Sequence, residues 1–293
     1  MVIQINYYCD NEIIEWKWSS DNELLPAPFW TSCFLIDGLL VDTGAPGGEN
    51  DLKEFVESLD PEKMVKKCLI THSHEDHCGG AAMLQSEFNI PVYASKKAIP
   101  KLKKEKNYPE YRKITWGFPY SPFGAIPIEG SIFTCSKKYK FDLIEIPGHA
   151  EEEIALIEKQ HQWAIVSDGL MPKYTMIFGK NTDIPEDISK IYNSLQHLDL
   201  VTKGMENLII FTSGRGNFKD QKIFQEKITE LEVLHEKAFK YKEEAIKQGY
   251  SGKSLYRYII RKMFGKESFI GQFTRGDLSI QNLILSLLEW PLE

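Results

Sequence analysis

Apolar positions recur along the chain first at strand spacing and later at helical spacing. Short β-type runs over 2–8, 13–18 and 29–36 are separated by turns, and Leu39-Leu40-Val41 follows the hairpin signal Asp37-Gly38. An antiparallel opening is predicted. Residues 51–59 repeat apolar positions at helical spacing and stop before Pro61, and 67–71 then reads as a short buried strand. Gly79-Gly80 begins a small-residue helix predicted to end near Phe88. From 95 to 131 the periodicity is lost, while Tyr108, Tyr111, Trp116, Phe118, Tyr120 and Phe123 stand among prolines and glycines. A loop this long and aromatic points to function. Strands resume over 140–146, 154–157 and 163–166, a helix is predicted over 185–198, and 207–212 reads as the last buried strand. After Gly216 amphipathic helices are predicted over 219–248, 253–264 and 278–288, separated by glycines. The expected organisation is an α/β domain over 1–218 and a helical subdomain over 219–293.

Composition narrows the function classes. With 42% hydrophobic residues in 293, the chain can bury a large core, which excludes disorder. Thirty-five Lys and Arg against 42 Asp and Glu leave a net charge of -7, the wrong sign for holding nucleic-acid backbone at large. The start has no basic segment followed by an apolar run, and no stretch approaches the roughly 18–20 apolar residues of a membrane span. A soluble, cytoplasmic protein is expected. Cys9, Cys33, Cys68, Cys78 and Cys135 form no Cys-x-x-Cys pair, so they read as reduced structural thiols.

The chemistry gathers on histidine. Four of the seven histidines fall in two places: His72, His74 and His77 within Thr71-His72-Ser73-His74-Glu75-Asp76-His77, and His149 in Pro147-Gly148-His149. Residues at i and i+2 leaving a strand end can point into one site, and imidazoles with a carboxylate at that spacing suit a borderline divalent metal. Together with Leu40-Val41-Asp42-Thr43-Gly44 and Ser167-Asp168-Gly169, these motifs make the sequence resemble the metallo-β-lactamase superfamily of metal-dependent hydrolases, especially its glyoxalase II-like members. The resemblance implies an αββα sandwich with one or two metal ions, zinc by expectation and iron or manganese as alternatives, at an edge of the two sheets. It implies that His72, His74 and His149 hold the first ion, Asp76 and His77 the second, and that Asp168 bridges them. Asp42 would stand behind the ligands and orient their loop.

The implied reaction is hydrolysis of an ester, thioester or lactone-like carbonyl by metal-bound hydroxide, with Asp76 orienting the nucleophile. Three alternatives come with the same resemblance: a mononuclear iron dioxygenase acting on a glutathione persulfide, a phosphodiester-cleaving relative acting on RNA, and a non-catalytic member with a decayed site.

One position departs from the family pattern. The last family histidine lies in a Ser-Gly-His-Gly-like turn, and here the turn reads Ser213-Gly214-Arg215-Gly216. A guanidinium stays protonated and offers no lone pair, so the second site is short of a ligand. Asn217 is a nearby oxygen donor, whereas His161, His197 and His235 read as surface residues. Arg215 has two readings: a planar fork for an anionic group of the substrate, or a turn residue pairing with a carboxylate. Lys96, Lys97, Lys101, Lys103, Lys104 and Lys106 form a basic run that reads as a solvated face or as an anion-attracting rim. The expected partner is a small substrate, anionic if Arg215 contacts it; neither a membrane nor a nucleic acid is expected.

Overall fold

The computed structural model describes residues 1–25 and 27–291, and its chain divides into two compact units. The first comprises Met1–Glu145, Glu151–Leu170 and Met205–Asp220; the second comprises Ile146–Ala150, Met171–Gly204 and Gln221–Glu293. Its last two residues lie outside the described ones. Residues 171–204 cluster with the C-terminal helices.

The first unit holds two sheets. One has seven strands in chain order: β1 (Val2–Tyr8), β2 (Ile13–Ser19), β3 (Thr31–Ile36), β4 (Leu39–Val41), β5 (Lys67–Ile70), β6 (Val92–Ala94) and β7 (Ile126–Pro127). Pairing is antiparallel from β1 to β4, as the hairpin signals require, and parallel from β4 to β7. The other contains β8 (Ser131–Phe133), β9 (Lys140–Glu145), β10 (Ile154–Glu158) and β11 (Trp163–Ser167). After β12 (Ile177–Phe178), which belongs to the second unit, the chain returns to this sheet with β13 (Ile209–Thr212) and β14 (Gly216–Lys219). β11 and β13 are parallel and the other pairs antiparallel. Thus β13, within 207–212, is the last strand of this sheet with a buried run, and β14 follows it at the edge. β14 is short, polar and partly exposed, so hydropathy does not mark it.

Strand alternation builds the core. Phe34, Ile36, Leu39, Val41 and Leu69 of the first sheet cluster with Phe141, Leu156, Trp163, Ile165 and Phe211 of the second. On its opposite face the first sheet sends Trp16, Cys33, Leu40, Cys68 and Ile70 against α1 (Glu49–Glu57), α3 (Ala81–Phe88) and the segment that follows them. That segment is not the continuous loop expected over 95–131. It contains α4 (Ile99–Leu102), α5 (Glu110–Trp116), β7 and the start of β8, and it buries Tyr108, Tyr120 and Phe123 in the same cluster. Each element is too short to show a period.

In the second unit, α6 (Ile188–Val201) starts at Asp187, whose carboxylate accepts from Ser189 N and Lys190 N. α7 (Lys222–Lys247), α8 (Gly252–Phe264), α9 (Phe269–Phe273) and α10 (Ile280–Glu289) follow, with β12 pairing β15 (Leu278–Ser279). Ile259 and Ile260 pack on Ile280 and Ile284. Among the described residues no helix is long and apolar enough to cross a membrane.

Candidate metal centre

In the first unit the site grows from the carboxyl ends of two parallel strand pairs, β4 with β5 in one sheet and β11 with β13 in the other. β4 ends at Val41, and Asp42 turns out of the strand with φ +62°, a conformation that side chains beyond glycine rarely adopt. Its carboxylate holds the strained turn in place. Oδ1 accepts from Thr71 N at 2.8 Å, and Oδ2 accepts from Thr71 Oγ1 at 2.8 Å and from His77 Nδ1 at 2.9 Å. Because a carboxylate can only accept, Nδ1 carries the proton and the Nε2 lone pair of His77 is turned the other way.

That Nε2 atom is fully buried, has no hydrogen-bond partner, and lies 3.5 Å from Asp76 Oδ2 and 3.6 Å from Asp168 Oδ2. Burial works against charge on this ring, yet Asp76, Asp42 and Asp168 outweigh it and hold the His77 pKa well above the usual imidazole value. The polypeptide is thus poised to keep a cation at this point. A divalent ion that displaces the proton from Nε2 meets the same carboxylates and an imidazole nitrogen, so the donor set fits a metal.

His72 is equally buried, with Nδ1 3.1 Å from Thr71 Oγ1. Its ring centroid lies 4.1 Å from that of His77 and 4.5 Å from that of His74. Ligand atoms of His72, His77 and Asp168 lie within 4.8 Å of one another, so a small adjustment brings them onto one ion.

The motif folds tightly because α2 (Glu75–Cys78) begins directly after His74. Gly79 then presses against the loop after β4, where a β-carbon would stand 2.3 Å from Pro46 N. Cys78, inside this turn, donates to His74 O, and burial raises its thiol pKa, so it is a packing residue.

Asp168 follows the end of β11, where a register shift between Ile165 and Ser167 re-aims the chain. Its backbone N donates to Glu153 Oε1 at 3.0 Å, and its Oδ1 accepts from Arg215 Nη1. Arg215 Nη1 also reaches Ser213 O at 3.2 Å, and the side chain is about a third exposed. The arginine therefore stands on the carboxylate that the resemblance assigns as a bridge. The turn that carries it is pinned. Gly214 has φ +67°, its N donates to Ser32 Oγ, and a β-carbon there would lie 1.8 Å from Trp30 O. Ser32 N donates to Ser213 Oγ, and Thr31 Oγ1 donates to Asp76 O. Asp76, Asp168 and Arg215 line a cavity of about 190 Å³ with Phe29, Trp30, Trp116, Pro28 and Gly214.

His149 lies in the second unit, buried, with Nδ1 2.7 Å from Glu186 Oε1. This repeats the pairing of a carboxylate behind a histidine seen at Asp42 and His77. Asn217 sits on β14 beside the Tyr8 hydroxyl, whose pKa burial and Glu15 push up to about 12. His235 Nε2 lies 3.0 Å from Trp290 O, and His161 pairs with Glu158 at 3.1 Å. Of the basic run, Lys96, Lys97 and Lys101 close ion pairs with Glu129, Glu145 and Glu152, which neutralises half of it.

Several supporting residues give no sequence signal of their own. Glu152 Oε1 accepts from Ser73 N and Oγ, and Oε2 from Lys101; burial would raise its pKa, but these partners hold it below the usual range. Ser167 Oγ stands 3.3 Å from Asp42 Oδ2 and 3.2 Å from His77 Nδ1. Glu75 and Arg112 form a buried bidentate pair, and the Tyr108 ring lies 4.7 Å from the guanidinium carbon.

Residues 28–159 match the metallo-β-lactamase superfamily. The chain contains a metallo-β-lactamase domain. Relatives of this domain include hydroxyacylglutathione hydrolase GloC of Haemophilus influenzae, 29% identical over 159 residues, which are 50% of this chain and 71% of that protein. A hydroxyacylglutathione hydrolase of Bdellovibrio bacteriovorus is 31% identical over 103 residues, 34% of this chain and 32% of the relative, so the chain spans about a third of that protein. Among solved structures, a metallo-β-lactamase of Pontibacter korlensis superposes with TM-score 0.60 at 13% identity, covering 79% of this chain and 99% of its own. One of Pseudomonas aeruginosa in a mono-zinc form gives 0.58 at 12%, covering 78% and 95%. At such identities these structures bear on the fold, and the metallo-β-lactamase fold is the one adopted here.

Proposed function

We propose that the protein is a metal-dependent hydrolase of an acyl ester, thioester or lactone-like carbonyl, with zinc as the expected ion. The observation that carries this reading is the buried cluster around His72, whose ring lies 4.5 Å from that of His74 and whose ligand atoms lie within 4.8 Å of those of His77 and Asp168. Among the possible acyl substrates the thioester is favoured by the names of the two relatives, both hydroxyacylglutathione hydrolases. In this reading His149 joins His72 and His74 as ligands of the first ion, Asp76 and His77 belong to the second position, and Asp168 lies between the two. When bound, a divalent ion lowers the pKa of water toward roughly 7 and polarises a carbonyl.

The remaining work falls to side chains on the cavity wall. Asp76, at its edge, accepts a proton from the attacking water and orients it. Phe29, Trp30 and Trp116 exclude bulk water and give the acyl chain an apolar surface, while Arg215 faces an acidic group of the substrate. A panel of thioester, ester, lactone and phosphodiester substrates, run on protein with measured metal content, tests the assignment. Hydrolysis confined to the phosphodiesters overturns it.

Asp76→Asn keeps shape and removes charge. Turnover of the best panel substrate is expected to fall by about 10²–10⁴-fold, with thermal stability changed by less than about 1 kcal/mol. A variant as fast as the parent would remove Asp76 from the chemistry.

A further inference from the structure

We infer that Arg215 is a built-in cation standing where a second metal ion would complete its ligands, so that the protein works with one ion per chain. The inference rests on the metallohydrolase reading and deepens it.

Three donors around this point are in place: Asp76 Oδ2, His77 Nε2 and Asp168 Oδ2, with the nitrogen 3.5 Å and 3.6 Å from the two oxygens. The fourth corner is a guanidinium. Arg215 Nη1 donates to Asp168 Oδ1, so the charge of this carboxylate is already answered by a permanent cation. A dication beside it would meet that charge at close range. The backbone cannot retreat to relieve the repulsion. Ser213 and Gly214 are hydrogen-bonded to Ser32, Gly214 is packed on Trp30 O, and Thr31 ties the same strand to Asp76 O.

The arginine also does something a metal would not. A guanidinium has five N–H donors in one plane, and Arg215 lines the cavity shared with Trp30 and Trp116. It therefore offers directional recognition of a carboxylate or phosphate rather than an open coordination position. Selectivity for acidic over neutral acyl substrates follows from the same residue that limits the metal count.

Zinc equilibrium dialysis with elemental analysis decides the matter on the whole chain, using Arg215→His and Arg215→Lys beside the parent. The parent and Arg215→Lys, which keeps the charge, are expected to hold one zinc. Arg215→His is expected to hold two, the second at least about 100-fold tighter than any second binding by the parent. Arg215→His should also lose preference for an acidic substrate over its neutral analogue by about tenfold or more in KM, with far-ultraviolet circular dichroism reporting an intact fold. Two tight zinc ions in the parent, or one in Arg215→His, overturn the inference and leave the hydrolase reading standing. A parent that binds no zinc, iron or manganese overturns both.

Discussion

His72→Ala is expected to empty the site of metal and to lower hydrolysis by about 10³-fold or more, the largest single loss of activity foreseen for this chain. His72 belongs to the buried cluster with His77 and Asp168, and the family resemblance also assigns it to the set with His74 and His149. Its Nδ1 is turned toward Thr71, which is itself held by both oxygens of Asp42, so the ring is fixed with Nε2 turned away from them. His74→Ala should behave in the same direction. Elemental analysis of the variant beside the parent is the check, and equal metal content in the two would remove His72 from the ligand set. In metal-free protein the variant should lose only about 1–2 kcal/mol, because the main contribution of the imidazole is coordination and not packing.

The largest stability effect is expected at Arg112. Its guanidinium forms a bidentate pair with Glu75, the two side chains being only 4% and 2% exposed. Arg112→Ala leaves a buried carboxylate without its counter-charge and is expected to cost about 3–5 kcal/mol at pH 8, measured by urea denaturation. The pH dependence has a definite sign. Burial already raises the Glu75 pKa against the pull of Arg112, and without Arg112 it rises further. The folded variant then binds a proton that the unfolded chain has lost above its ordinary glutamate pKa, so stability falls as pH rises through that window. The deficit against the parent should shrink toward pH 4–5. Replacing Glu75 as well, by leucine, with Arg112→Met should recover most of the loss, since a well-packed apolar pair avoids both desolvation costs. A single variant as stable as the parent across this range would show that water already reaches the pair.

The same pair marks where sequence reading stopped. Strands β1 to β5, β9 to β11 and β13 and the helices α7, α8 and α10 were legible because their apolar runs or periods stand out locally. The histidine motif was legible because its residues lie within seven positions. Arg112 lies 37 residues from Glu75, in a stretch whose helices are four and seven residues long, so nothing local distinguishes it from a surface arginine. Glu152 and Glu153 carry no apolar signal, yet both are buried. Their partners are Ser73, 79 residues away, and the backbone of Asp168, 15 residues away. Local patterns report burial of apolar side chains. Polar groups buried by distant partners leave no period to read.

Arg215 was visible as a departure from the family pattern, but its partner was not, because Asp168 and Arg215 meet only when β11 and β13 pair.

The turn at 213–216 takes its shape from its neighbours. Ser32 holds Ser213 and Gly214, Trp30 leaves no room for a β-carbon at 214, and Thr212 Oγ1 closes the loop on Gly216 O at 2.8 Å. None of these contacts uses the side chain at 215. For laboratory evolution this separates scaffold from chemistry: a library saturating position 215 alone would explore charge, ligation and size on one fixed backbone. Libraries that also randomise 214 would spend most of their members on chains that cannot close the loop.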